Sequence, residues 1–138
     1  MVVYFSRGGK TRRIAEAIAE ELGCEAIDAV EGKPDLSGTD MLVVGSGNYG
    51  GAPHRDFEGF IEGIPTGNGS RAAVFATSGG EEPKCIGIME EKLGNRGYNT
   101  VSSFDCRGQF LLVSRGHPDE EDVENARAFA RDLGNGAT

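Results

Sequence analysis

The sequence predicts an α/β fold: one parallel sheet with helices on both faces. Strand-like runs alternate with helical patterns along the 138 residues. Two of the strand-like runs, at 2–6 and 41–45, are near-continuously apolar, as strands covered on both faces are. In so short a chain, that alternation requires right-handed crossovers, which place helices above and below the sheet. The length suits a single domain over 1–138, burying about two-thirds of its unfolded surface in one core.

The elements follow in order. "VVYFS" (2–6) reads as the first strand, and Ile14, Ile18 and Leu22 recur every four residues as the buried face of a first helix. "CEAIDA" (24–29) is the second strand. "VEGKPDLSGT" has turn residues but little apolar pattern, so a loop or short helix is expected there. "DMLVVGS" (40–46) is the third strand, followed by a helix through Phe57, Phe60, Ile61 and Ile64. "SRAAVFATS" (70–78) is the fourth, followed by a weaker helix over 83–96 through Ile86, Met89 and Leu93. "YNTVSSFDC" (98–106) is the fifth. The last helix begins at "HPDEED", with Pro118 suited to its first position and acids in its first turn. It presents Val123, Ala126, Ala130 and Leu133 on one face, and Gly134 ends it before a frayed tail.

The formal charge of −8 argues against general nucleic-acid binding. Yet Arg7, Lys10, Arg12 and Arg13 place +4 in residues 1–15, with no acid before Glu16, which leaves −12 for the rest. Cations are misplaced at a helix N-terminus, which already carries partial positive charge. A bound anion resolves the conflict; solvated surface is the alternative. Apolar runs fall far short of the ~18 residues of a membrane span, and no charged-then-apolar leader opens the chain, so a cytoplasmic protein without membrane contact is expected. Cys24, Cys85 and Cys106 form no C-x-x-C pair and are expected to be buried thiols in a reducing compartment. His54 and His117 are isolated, which suits surface or capping roles rather than a metal site.

Three loops should meet at the carboxyl edge of the sheet, where open α/β sheets bind ligands. They are "SRGGKT" (6–11), "GNYGGAP" (47–53) and "TSGGEEP" (77–83), each with a Gly-Gly pair. The first is not a G-x-x-x-x-G-K-[ST] phosphate loop, because Tyr4 stands where its first glycine is required. A Gly-rich turn entering a helix still exposes backbone N–H groups to an anion. Ser6 and Thr11 could add hydroxyls, and Arg7 or Lys10 a charge.

The opening "YFSRGGKTRRIAEAIAEEL" resembles the flavodoxin family, whose first loop has the form S/T-x-T-G-N-T. "DMLVVGSGNYGGAP" and "AVFATSGGEE" resemble that family's second and third flavin loops, and "HPDEEDVENARAFARDL" its closing helix. The resemblance implies a three-layer αβα sandwich with strand order 2-1-3-4-5, and flavin mononucleotide (FMN) as cofactor. By position, Ser6, Arg7, Gly8, Gly9, Lys10 and Thr11 would hold its phosphate. Asn48, Tyr49, Gly50 and Gly51 would line one side of the ring, and Thr77, Ser78, Gly79 and Gly80 would supply backbone groups to its pyrimidine edge. Gly50 would be the hinge whose carbonyl turns toward the flavin N5–H. Gly8 and Lys10 depart from the family's hydroxyl residue and Asn: one hydrogen bond of ~1 kcal/mol is lost, and a charge-assisted one of about 1.5–3 kcal/mol can be gained. Tyr49 is the aromatic within the three loops; it is either a ring neighbour or an exposed turn residue. Phe110 could reach the other ring face or pack the core. Glu81 and Glu82 are either solvated or tune the potential.

The function this implies is single-electron transfer between redox partners by a monomer. The acidic body would steer toward basic docking patches. The alternative on the same fold is an NAD(P)H-dependent quinone or flavin reductase. A partner-binding domain that has lost its flavin is a further reading. A phosphoryl-accepting receiver module is set aside, since "VYFSRGG" lacks the carboxylate cluster it needs.

Overall fold

The computed structural model describes residues 1–32, 34–36, 39–49, 51–78, 82–106 and 120–134. The chain runs β1 (Val2–Phe5), α1 (Lys10–Leu22), β2 (Ala26–Asp28), β3 (Met41–Gly47), α2 (Arg55–Glu62), β4 (Arg71–Thr77), α3 (Cys85–Asn95), β5 (Asn99–Cys106) and α4 (Glu120–Gly134). All strands are parallel in the order β2-β1-β3-β4-β5, the order the sequence resemblance implies. Chain direction across the sheet reverses between β1 and β3, which opens a crevice at their carboxyl ends.

The sheet is buried on both faces, and strand side chains divide between two apolar layers with a period of two. Val2 and Tyr4 of β1, Val43 of β3, and Ala73 and Phe75 of β4 pack with α1 and α4. Val3, Leu42, Val44, Ala72, Val74 and Ala76 pack on the other face with α2 and α3. Helix α1 meets the sheet through Ile14, Ala15 and Ile18, all fully buried, and its alanines allow a close approach. Arg127 and Arg131 of α4 reach Glu20 and Glu21 of α1 at 3.2 and 2.6 Å, but these exposed pairs contribute little.

Some expectations are refined. Ile64 is buried but lies beyond the end of α2, where Arg96 Nε donates to its carbonyl at 2.9 Å. Residues 30–32, 34–36 and 39 form no helix. Cys85 and Cys106 are buried as expected, whereas Cys24 is exposed. It follows Gly23, whose left-handed backbone (φ 72°) ends α1 and turns the chain outward before the edge strand β2. His54 is a cap: its Nδ1 accepts from the Asp56 amide at 3.1 Å at the start of α2. His117, Pro118 and the "GNGAT" residues after Gly134 lie outside the described residues. Among the described residues no helix is long and apolar enough to cross a membrane.

One position shows how tightly the layers fit. Gly45 in β3 pairs with Phe75 in β4, and a Cβ at Gly45 would fall 2.0 Å from Phe75 Cζ. The ring lies where a side chain would stand. Gly45→Ala is therefore expected to lower stability by about 1–3 kcal/mol through overpacking. Urea unfolding of Gly45→Ala, Phe75→Leu and the double variant checks this: the double variant should be more stable than the sum of the single losses predicts.

Candidate functional site

Helix α1 begins with Gly9 in the left-handed region (φ 89°), with no side-chain cap and no acid in its first turn. Ser6 Oγ accepts from the Gly9 amide at 3.0 Å, so the preceding serine closes the turn. The first intrahelical bond runs from the Arg13 amide to the Gly9 carbonyl at 3.1 Å. The amides of Lys10, Thr11 and Arg12 therefore have no partner within the helix. By contrast, α2 and α4 carry acids in their first turns. A Cβ placed on Gly8 or Gly9 would meet nothing within 4 Å, so the turn is open to an approaching group.

The second and third loops are tied to this turn by side chains. Thr11 Oγ1 and Thr77 Oγ1 lie 2.8 Å apart, both buried, and join the start of α1 to the end of β4. Asn48 Oδ1 accepts from the Cys85 amide at 3.1 Å, and its Nδ2 donates to the Glu82 carbonyl at 3.4 Å. Asn48 thus caps α3 from another loop, where Lys84 at the cap position makes no side-chain bond. Several backbone groups are already engaged: the Asn48 amide donates to the Thr77 carbonyl at 2.9 Å, and the Ser78 amide to the Cys106 carbonyl at 3.0 Å.

Tyr49 is half-buried rather than an exposed turn residue. Its backbone exchanges hydrogen bonds with Ala52 around a tight turn in which Gly51 has φ 93°. The ring folds back over Gly47, where a Cβ would fall 2.9 Å from Tyr49 Cζ and Oη. It meets Phe5 edge-on at 6.4 Å and His54 edge-on at 5.6 Å, while His54 stacks on Phe5 at 4.3 Å. Burial raises the Tyr49 phenol above its usual pKa, opposed by a hydrogen bond to the Arg7 backbone and by the Arg7 charge.

All three loops line one cavity of about 220 Å³. Its walls are Ser6, Arg7, Gly8, Lys10 and Thr11 from the first loop, Gly47, Asn48 and Tyr49 from the second, and Thr77 and Ser78 from the third. Gly9 and Gly51 shape the turns behind it without lining it. Gly50, Gly79, Gly80, Glu81 and Phe110 lie outside the described residues. The sequence reading missed Gly47 and the Phe5–His54 stack. Phe5 ends β1 directly before the first loop, and that position was the available signal. Among the described residues no group of three or more His, Cys, Asp or Glu is arranged to hold a metal.

This crevice at the carboxyl edge of the sheet, with its glycine turn feeding α1, is that of a flavodoxin-like α/β protein. A family model described as a flavodoxin domain matches residues 1–111, and the chain belongs to the flavodoxin family. It is 29% identical over 120 residues to a flavodoxin from Synechococcus elongatus, an overlap of 76% of this chain and 69% of that protein. Its fold is similar to a flavodoxin, WrbA-like protein from Agrobacterium tumefaciens (TM-score 0.76, 20% identity, 99% of this chain and 94% of that one). It is also similar to a flavoprotein in complex with FMN from Lactobacillus acidophilus (TM-score 0.60, 18% identity, 75% and 90%).

The hydroxyl pair joining the first and third loops gives a direct test. Thr11→Val leaves the Thr77 hydroxyl buried without its partner and should lower stability by about 1–3 kcal/mol. Thr77→Val should behave alike, and the double variant should lose less than the two single losses combined. A double-mutant cycle by chemical denaturation measures the difference.

Proposed function

We propose that the chain binds FMN at the carboxyl edge of the sheet and serves as a single-electron carrier. The observation that carries this reading is the convergence of three separate loops on one cavity whose floor is the uncapped start of α1. The donor set fits the group. The amides of Lys10, Thr11 and Arg12 have no partner within the helix, Ser6 and Thr11 bring hydroxyls, and Arg7 and Lys10 bring positive charge. A dianionic phosphate there also explains the four cations that open the chain. The family supports the choice, as does the FMN bound by the similar flavoprotein from Lactobacillus acidophilus.

Bound FMN supplies the redox chemistry; the protein supplies placement and field. Ser6, Arg7, Gly8, Gly9, Lys10 and Thr11 hold the phosphate, with Gly8 and Gly9 letting it approach the backbone. Asn48 and Tyr49 form one wall of the ring site, with Gly50 and Gly51 carried over from the family resemblance. Asn48 fixes the spacing of that wall from α3. Tyr49 stays a neutral phenol, since burial raises its pKa, and presents an uncharged ring edge. Thr77 and Ser78 form the other wall, with Gly79 and Gly80 carried over from the family resemblance. Redox partners with basic patches dock against the acidic body of a monomer. The buried cysteines Cys85 and Cys106, outside any disulfide, suit a reducing cytoplasm.

Two expectations test the proposal. Lys10→Ala should weaken FMN binding by about 10-fold, one charge-assisted bond, and leave riboflavin affinity unchanged because riboflavin has no phosphate. Fluorescence titration of both flavins checks this, and equal losses for both would contradict a phosphate at Lys10. The reduced FMN-loaded protein should pass electrons to a basic one-electron acceptor protein at a rate that falls as salt rises. Steady turnover of NADH or NADPH with a quinone would instead make it a reductase.

A further inference from the structure

Tyr49 belongs to a loop, yet its ring is held from several sides. It folds over Gly47, and its hydroxyl bonds to the Arg7 backbone. Two further rings reach it from other elements. His54 and Phe5 stack with centroids 4.3 Å apart and planes 20° apart. Tyr49 stands edge-on to both, at 86° to His54 and 79° to Phe5. The three rings come from the end of β1, the turn after β3 and the cap of α2.

His54 is an uncommon choice for that cap. Its Nδ1 accepts from the Asp56 amide at 3.1 Å, a bond that Ser, Thr, Asp or Asn ordinarily supplies with a smaller side chain. The imidazole adds a flat ring, and the cap bond fixes the plane of that ring against Phe5. Although it heads a surface helix, the side chain is only 27% exposed. The backbone between Tyr49 and His54 is restrained as well. Tyr49 and Ala52 exchange hydrogen bonds, Gly51 turns the chain at φ 93°, and Pro53 is buried.

Edge-on and stacked aromatic pairs stabilise beyond the area they bury. A wall residue already fixed in place also spares a ligand the cost of ordering it. His54 is not among the residues that line the cavity, whereas Tyr49 is. Any influence of His54 on a ligand therefore passes through the Tyr49 ring.

We propose that His54 is a positioning residue: held by its cap bond and by Phe5, it sets the Tyr49 ring against the cavity before flavin binds. The inference rests on the FMN reading, in which Tyr49 stands beside the flavin ring. It assigns the effect of His54 to the ring and not to the phosphate, so FMN and riboflavin should feel it equally. Lys10, by contrast, acts on FMN alone.

Two substitutions separate the ring from the cap. His54→Asn keeps an acceptor for the Asp56 amide and removes the ring, while His54→Phe keeps a ring and removes the acceptor. Thermal melts and fluorescence titrations of FMN and riboflavin compare them. His54→Asn should melt like the wild type but bind both flavins about 5-fold more weakly, the worth of one aromatic contact. His54→Phe should melt about 3–5 °C lower through loss of the cap, yet bind both flavins as the wild type does. In the flavin-free protein, nuclear Overhauser contacts between the Tyr49 and Phe5 rings should persist in His54→Phe and vanish in His54→Asn. Three results would each overturn the proposal: wild-type affinity for both flavins in His54→Asn, an equal loss of affinity in both variants, or Tyr49–Phe5 contacts that survive in His54→Asn. Failure of the FMN reading has a different signature. The wild-type protein would then bind neither flavin, and this inference would fall with it.

Discussion

The first turn of α1 leaves three amides without partners in the helix, and it surrounds them with cations where α2 and α4 place acids. The rest of the site is arranged around that deficit. A serine closes the turn, two glycines keep it open, and the Thr11–Thr77 hydroxyl pair fixes it against the end of β4. Asn48 then joins the middle loop to the start of α3. Each tie connects residues distant in sequence, so the geometry at the start of α1 depends on the whole sheet being correctly registered.

That registration comes from burial on both faces. A one-residue slip in any central strand would exchange the side chains of the two apolar layers. The fit of Phe75 over Gly45 on one face shows that the layers are matched in shape as well as polarity. A sheet held this firmly delivers its loops to one edge with little freedom. This is why short, glycine-rich connections can form a site here without insertions.

The fold was legible because periodicity reports which side of an element is buried, and every predicted strand and helix has its counterpart. What was legible of the candidate site was its location: the segments after β1, β3 and β4 do share a cavity. Its side-chain ties were not. Nothing in "GNYGG" shows that Asn48 caps a helix 37 residues away, or that Tyr49 folds over Gly47 to meet Phe5 and His54. Such contacts depend on three-dimensional juxtaposition, to which local spacing is blind. Cys24 shows the same limit: a cysteine beside a strand reads as buried, but the turn at Gly23 places it outside.

The central claim concerns a phosphate at the start of α1, and amide resonances report on it directly. In nitrogen-15 spectra, adding FMN should shift the Lys10, Thr11 and Arg12 amides strongly downfield, as N–H groups do on donating to an anion, whereas riboflavin should leave these three close to their free positions. If FMN binds while those amides stay in place, or if both flavins move them equally, the phosphate lies elsewhere and the account fails.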